Sequence, residues 1–181
     1  MELSSWIPYL ISVNTLGFLL FAADILLHAY RSPVGIDPMV SGLALLGGTG
    51  GILLSMVFFS RRAHRETMLS RIFLFTLFPL QVSLLLTLTG HMPQASLWPV
   101  ALALAAWNLL TFGIFLIDKY NAIHRLPRVP TVTLLLLTYL GAAPGALAAM
   151  HLFHHKTRVE CFRVGVPMML VMQAVVVTCL L

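Results

Sequence analysis

The sequence predicts an all-α, polytopic membrane protein with about six transmembrane helices arranged as two three-helix repeats. Three observations support this: an apolar composition, the spacing of the charged residues, and a self-alignment of the chain. Of 181 residues, 59% are hydrophobic and only 9% are charged, and the mean hydropathy is +0.94. Soluble domains carry roughly a quarter charged residues. We therefore expect lipid to replace water as the solvent for most of the surface.

Long stretches without Asp, Glu, Lys or Arg mark the predicted helices. A spanning helix needs about 20 mostly apolar residues. Four stretches fit one helix each, and the stretch between Arg71 and Asp118 fits two, because Gly90–Gln94 supplies a helix-breaking turn in its middle. The N-terminal helix lacks a basic leader and a cleavage site, so we expect it to be retained. The predicted spans lie near 5–29, 38–60, 72–90, 96–117, 132–153 and 164–181.

The chain aligns with itself at an offset of 94 residues. Residues 14–66 match 108–160 without a gap, and fifteen of the 53 positions are identical. Chance should give roughly four or five matches in so apolar a sequence. The identities include rare polar and turn residues: Asn14/Asn108, Asp24/Asp118, Arg31/Arg125, Pro33/Pro127, Gly47/Gly141 and Gly51/Gly145. We therefore predict a tandem duplicate, with a diverged first repeat at 1–94 and a second repeat at 95–181.

The repeat and the charges together predict a topology. If each repeat has three spans, the second lies inverted in the membrane, a plan that recurs in transporters. Loops 60–71 and 118–130 are both basic, and the positive-inside rule makes them cytoplasmic, together with both termini. Loop 154–163 is equally basic, yet this scheme places it outside. The sequence leaves that tension open.

The second repeat resembles the domain-of-unknown-function 1294 family of small bacterial membrane proteins. The resemblance covers 107–175 well and 14–81 more faintly. It implies a multi-pass protein of the bacterial inner membrane, with no settled activity to carry over. It rests on Trp107-Asn108, Phe112, Asp118-Lys119, Ala122, Arg128-Val129-Pro130, Leu134, Gly141 to Ala146, His155-Lys156-Thr157-Arg158 and Phe162.

This chain departs from the family pattern in both repeats. Thr131 stands where the family usually has a glutamate. In the first repeat, Ile25 replaces the lysine and Arg61-Arg62 replace the His-Lys pair. If these groups carry out chemistry, the first repeat is the one that has lost it.

Several polar residues in or beside the predicted spans are candidate site residues. A carboxylate near hydrocarbon is costly and is usually kept for a partner or an ion, although it can also mark a helix end. An amide in lipid must hydrogen-bond, either to another helix or to a ligand, and helix packing is the commoner use. The candidates for a substrate or ion path are Asn14, Asp24, Asn108, Asp118, Lys119, Arg128, His155 and Lys156.

Small residues and histidines form two further patterns. Gly47/Gly51 and Gly141/Gly145 have G-x-x-x-G spacing, which favours close helix packing, and Pro144 would loosen its helix. His151, His154 and His155 have H-x-x-H-H spacing on one predicted helical face, as in one histidine box of the di-iron membrane enzymes. Such a site needs several boxes, so the three are a weak metal candidate. We expect no cofactor, and Cys161 and Cys179 are read as apolar fillers.

Three functions remain open. The first is a small transporter or channel with inverted repeats, carrying an unknown ion or small molecule. The second is a membrane enzyme acting on a lipid or isoprenoid, although motifs for the common catalytic and nucleotide sites are missing from the sequence. The third is a non-catalytic membrane partner or assembly protein. The bilayer itself is the predicted partner of the basic clusters, not nucleic acid, and a homo-oligomer is compatible with the sequence.

Overall fold

A computed structural model of the chain describes residues 3–27, 38–59 and 68–181. Every regular element in these ranges is a helix, which confirms the predicted all-α class. The chain divides into two compact units, Met1–Met92 and Pro93–Leu181. Within the described ranges, six helical stretches are long and apolar enough to cross a membrane: Trp6–Ile25, Pro38–Phe58, Met68–Leu88, Leu97–Ile123, Thr131–Phe153 and Glu160–Leu180.

The second stretch of each unit is interrupted, so the helices are numbered by their continuous parts. The first unit contains α1 (Leu3–Leu27), α2 (Pro38–Leu43), α3 (Thr49–Phe58) and α4 (Met68–Leu88). The second unit contains α5 (Leu97–Ile123), α6 (Thr131–Leu137), α7 (Ala143–Phe153), α8 (Glu160–Arg163) and α9 (Gly165–Leu180). We call Ala44–Gly48 the first tip and Thr138–Ala142 the second tip.

A glycine with positive φ breaks the helix at each tip. Gly47 has φ 108° and Gly141 has φ 121°, a conformation that residues with a side chain rarely adopt. The sequence-based interpretation of these two glycines as helical packing residues is therefore wrong, because neither has helical dihedral angles. Pro144 does not loosen a helix interior either. It lies in the first turn of α7, where no helical hydrogen bond is lost.

The second unit folds back at its tip. The contacts of Asp118, near the end of α5, demonstrate this. Its Oδ1 accepts a hydrogen bond from the Val129 N–H (2.9 Å), just before α6, and its Oδ2 contacts the His155 Nε2 (2.7 Å), just after α7. A continuous helix of this length would hold these two residues roughly 40 Å apart, at about 1.5 Å per residue. The stretch 131–153 is thus a hairpin whose two open ends meet beside Asp118.

Further contacts fix the direction of each hairpin arm. The Trp107 Nε1–H donates to the Leu137 carbonyl (3.2 Å), so α6 runs from the level of Asp118 back to the middle of α5. Asn108 then contacts Gly145, and each lies ten residues before its counterpart in the Asp118–His155 contact. The second arm, α7, therefore runs parallel to α5 and returns the chain to the level where α6 began.

The first unit has the same path. Asn14, in the middle of α1, contacts Gly47 in the tip and Gly51 in α3, and the Phe18 and Phe58 rings lie 6.1 Å apart further along both helices. Val40 of α2 belongs to the same buried apolar cluster as Phe21 and Leu74. Both arms of this hairpin therefore also rise from the tip toward the same end of α1.

The parallel arm packs very closely against the first helix of its unit. A Cβ added to Gly51 would lie 1.8 Å from the Asn14 carbonyl oxygen, and one added to Gly145 would lie 2.5 Å from that of Asn108. Only glycine fits at either position. The long helix that follows each hairpin then runs back along the unit, and in the second unit it ends where the unit began, since the Ala95 N–H donates to the Leu180 carbonyl (2.9 Å).

Candidate functional site

The second tip is held by an asparagine in the middle of α5. Its Nδ2 donates to the carbonyls of Leu104 (2.7 Å) and Gly141 (3.1 Å), and its Oδ1 accepts from the Gly145 N–H (2.6 Å). A carboxamide carries both donors and acceptors, so a single side chain, that of Asn108, satisfies a carbonyl on one side of the break and an N–H on the other. Asn108 therefore replaces hydrogen bonds that a continuous helix would make within itself.

A glutamine on α9 holds the same tip as well. The Gln173 Nε2 donates to the carbonyls of Thr138 (2.6 Å) and Tyr139 (3.1 Å), and its Oε1 accepts from the Ala143 N–H (3.1 Å). Together with the Trp107 contact, side chains satisfy four carbonyls and two N–H groups around this break. Away from water, each such group left unsatisfied would cost several kcal/mol.

The first tip uses the same chemistry. The Asn14 Nδ2 donates to the Gly47 carbonyl (3.1 Å), and its Oδ1 accepts from the Gly51 N–H (2.7 Å). The Gln81 amide on α4 donates to the carbonyls of Ala44 (2.6 Å) and Leu45 (3.3 Å), and its Oε1 contacts the Thr49 hydroxyl.

The aromatic donor differs between the two tips. At the first tip the Tyr9 hydroxyl donates to the Leu46 carbonyl (2.7 Å), whereas an indole takes this part at the second. An asparagine, a glutamine and one aromatic donor thus cap each tip.

The two glutamines and Tyr9 were not among the residues singled out from the sequence, and Trp107 was named there only for the family resemblance. The self-alignment ends at Glu66 and Glu160, before either glutamine, and Gln81 and Gln173 are 92 residues apart instead of 94. A signal was nevertheless present, because each is a lone amide in an otherwise apolar predicted span.

Two buried hydroxyls lie one helical turn beyond the amide-capped positions. Ser55 and Thr111 are each completely buried, and their hydroxyls have no hydrogen-bond partner in the described part of the chain. Ser55 follows Gly51 by four residues on α3, and Thr111 follows Asn108 by three residues on α5. Such groups are uncommon, and each calls for an explanation such as a bound ion, water or ligand.

A second polar group, which we call the Asp118 cluster, forms at the open end of the second hairpin. Asp118 is completely buried, and its Oδ2 lies 2.7 Å from the His155 Nε2 and 3.0 Å from the Lys156 Nζ. Its Oδ1 accepts the Val129 N–H. A buried carboxylate is tolerated when it is both paired and hydrogen-bonded, and Asp118 is. The cluster joins the end of α5 to both ends of the hairpin.

The loop after α7 is shaped to reach this carboxylate. His154 ends the helix in the left-handed conformation (φ 47°), and Lys156 also has positive φ (60°). The Lys156 ammonium lies 5.0 Å from the centre of the Phe162 ring, which packs edge-on against Phe115 at 6.0 Å. The cation is therefore placed between a carboxylate and an aromatic face.

Other predicted site residues lie outside this cluster. Lys119 is half-buried and Arg128 is exposed, and neither is among the contacts of Asp118. Asp24 is half-buried near the end of α1. Arg61 and Arg62, which align with His155 and Lys156, lie outside the described residues.

The three predicted histidine ligands do not converge. His151 is exposed and its Nδ1 lies 2.9 Å from the Leu147 carbonyl of its own helix, whereas His155 turns to Asp118. The prediction that all three share one helical face is wrong, because α7 ends at Phe153. Among the described residues there is no group of three or more His, Cys, Asp or Glu side chains placed to hold a metal ion.

Comparison with known proteins gives a family without an assigned activity. The family model described as protein of unknown function (DUF1294) matches residues 108–162. The uncharacterized protein YsdA of Bacillus subtilis (strain 168) is 33% identical over 78 residues, which are 43% of this chain and 88% of that relative. No solved structure matches. The matched family segment begins at the tip-capping asparagine and ends at Phe162, so it spans both the second hairpin and the Asp118 cluster.

Proposed function

The chain belongs to the family of proteins of unknown function DUF1294, and from the geometry of its units we propose that it is a small transporter or channel. In this proposal the hairpin tips are the points where an ion or small polar molecule meets the protein within the membrane. The observation that carries the proposal is the pair of completely buried hydroxyls without a partner, one beside each amide-capped break.

Broken helices at membrane depth support this proposal. Irregular backbone within the hydrocarbon is tolerated only where protein buries it or where it lines a water-filled cavity. Transporters use such breaks to offer free backbone groups to a substrate or ion. Here the backbone groups at each tip are held by amide side chains, which are neutral ligands that an ion or polar solute can replace without leaving a buried charge behind.

We also infer that the two units are diverged copies. Fifteen of 53 aligned residues are identical, and the equivalent asparagines make the same three kinds of contact. YsdA supports this interpretation, because one alignment of 78 residues covers 88% of it but only 43% of this chain. YsdA therefore has about the length of one unit.

The test is ion flux in proteoliposomes, with variants that remove one hydroxyl and keep the side chain close to its original size. The purified chain would be reconstituted, and Na⁺, K⁺, H⁺ and Cl⁻ fluxes followed with internal dyes. We expect Thr111→Val and Ser55→Ala to reduce the flux at least tenfold while leaving thermal stability unchanged or higher, since each removes an unpaired buried polar group. The matched control is Thr178→Val, whose hydroxyl is exposed and bonded within its own helix.

Two outcomes would contradict the proposal. Flux no greater than in empty liposomes, for all four ions and for a panel of small polar solutes, would contradict transport by this chain. Flux that is unaffected by both hydroxyl variants would show that the tips do not meet the transported species. The amide-capped breaks would then only hold helices together, as in a non-catalytic membrane partner.

The Asp118 cluster favours a second candidate, an enzyme acting on a lipid or isoprenoid at the membrane surface. A carboxylate that orients an imidazole is a common arrangement for a general base, and Lys156 supplies a cation for a phosphate group. This function requires the second unit only. A chain carrying Asp118→Asn would then lose all activity, whereas Asp24→Asn would retain it. Under the transport proposal, loss of flux should follow changes at either tip.

A further inference from the structure

We infer that each unit crosses the membrane twice, not three times, and that its hairpin enters and leaves through one face. Both ends of both hairpins then emerge on that face, and both chain termini and the linker 89–96 lie on the other. This inference does not depend on which substance, if any, the protein transports. It replaces the three crossings expected for each unit with two.

The hairpin arms are too short to cross a membrane. The arm α6 has seven residues and α7 has eleven, which gives about 10 Å and about 16 Å. The hydrocarbon core is about 30 Å thick, so neither arm spans it. By contrast, α5 has 27 residues and α4 has 21, and each is long enough to cross.

The second unit returns its chain to the level at which the unit began. The open ends of the hairpin meet at Asp118, toward the end of α5. The helix α9 then runs back, contacts the tip through Gln173 at mid-course, and ends with the Leu180 carbonyl bonded to the Ala95 N–H before α5. The unit therefore begins and ends at one level, and its hairpin opens at the other.

The first unit returns in the same way. Gln81 of α4 reaches the first tip, and Leu74, seven residues earlier, packs in one cluster with Phe21 of α1. The helix α4 is thus antiparallel to α1 and carries the chain back to the side of the N-terminus. Two crossings therefore return the chain to the face from which the unit started.

The distribution of positive charge supports the same path, independently of the contacts. All eleven Lys and Arg residues fall, in sequence, at or between helix ends on the hairpin-opening side: Arg31, Arg61, Arg62, Arg65, Arg71, Lys119, Arg125, Arg128, Lys156, Arg158 and Arg163. Six crossings would instead put seven on one face (Arg61 to Arg128) and four on the other. The two-crossing path removes the conflict over loop 154–163 that the sequence left open.

The positive-inside rule then orients the protein. The face with all eleven cations is cytoplasmic, and both termini are outside. That face also matches the anionic headgroups of the cytoplasmic leaflet, which attract basic residues near the membrane surface. The expected cytoplasmic location of both termini is thereby reversed.

Single-cysteine labelling of whole cells tests the inference, in the full chain carrying Cys161→Ala and Cys179→Ala. The decisive pair is Leu126→Cys and Thr157→Cys, which flank the second hairpin, and Ser32→Cys with Ser60→Cys flank the first in sequence. We expect all four to resist a membrane-impermeant maleimide in intact cells and to react after lysis. Gln94→Cys, in the linker, should react in intact cells.

Two labelling results would contradict the inference. If Leu126→Cys and Thr157→Cys react from different sides, the second stretch crosses the membrane and the inference fails for that unit. If each flanking pair shares a side but Gln94→Cys shares it too, the long helices do not cross and the inference fails as a whole. Neither outcome bears on ion flux, so the proposed function is tested separately.

Discussion

The two tips are alike, whereas the two hairpin openings carry different residues. At the tips, the positive-φ glycine, the asparagine, the glutamine and the close-packed glycine recur in both units. At the openings the residues diverge: His155-Lys156 in the second unit align with Arg61-Arg62 in the first. A break in the hydrocarbon leaves few chemical solutions, because no water can replace a lost hydrogen bond. At the membrane surface, water and headgroups allow several.

The buried hydroxyls show the same principle on a smaller scale. In the second unit Thr111 lies on the first helix and aligns with Gly17, while Ser55 of the first unit lies on the hairpin arm and aligns with Ala149. The unpartnered hydroxyl therefore lies on a different helix in each unit, and among the described residues it is completely buried in both. The units are alike in carrying such a group, not in the residue type at one position.

The largest expected effect is at the hairpin opening. Replacing Asp118 by Asn leaves Lys156 and His155 without the buried carboxylate that they contact. Breaking a buried ion pair lowers the free energy of unfolding by about 3–5 kcal/mol. Thermal unfolding in detergent would measure the loss. Lys119→Gln on the next residue is the control and should have little effect. Equal losses from both variants would mean that the cluster does not hold the hairpin.

A smaller effect is expected where the arms meet the first helices. Alanine at Gly51 or Gly145 must push the backbones apart, at a cost of about 1–3 kcal/mol or more. Gly51→Ala should be the worse of the two, because its added carbon would lie 1.8 Å from a carbonyl oxygen against 2.5 Å at Gly145. Gly113→Ala, which meets nothing within 4 Å, should be neutral or stabilising. The reverse order in unfolding temperature would contradict the contacts of the first unit.

The amide caps should be equivalent in the two units. Asn14→Leu and Asn108→Leu each leave an N–H and a carbonyl unsatisfied, and we expect each to cost about 1–3 kcal/mol. Their unfolding temperatures should fall by similar amounts, whereas exposed Gln94→Leu should change little. A loss confined to Asn108→Leu would mean that only the second unit depends on its capped tip.

The smallest effect concerns the aromatic donor, where the units differ. Tyr9→Phe removes one hydroxyl that donates to the Leu46 carbonyl, at a cost of about 0.5–1.5 kcal/mol. The effect should be below that of Asn14→Leu, because the phenol satisfies one tip carbonyl and the amide satisfies a carbonyl and an N–H. A loss larger than that of Asn14→Leu would make Tyr9 the main cap of the first tip.

The sequence by itself located the helices and predicted their surroundings. An excess of apolar residues with charges only at intervals is typical of a chain surrounded by lipid, and the charge-free intervals located six long apolar helical stretches. Asn14, Asn108, Asp118, His155 and Lys156 were found as candidates because polar groups in such a chain are costly and must have partners.

Only the tertiary structure decided the path of the chain and the partners of those groups. A stretch of 23 apolar residues is long enough to span a membrane, and hydropathy is the same whether it spans or folds in half. Whether the stretch spans or folds back depends on the backbone conformation of Gly141. It also depends on Asn108 and Gln173, two amides on other helices that satisfy backbone groups at the break. Asp118 likewise bonds to groups 11 and 37 residues away along the chain. The sequence does not identify these partners, because a hydrogen bond depends on distance in space.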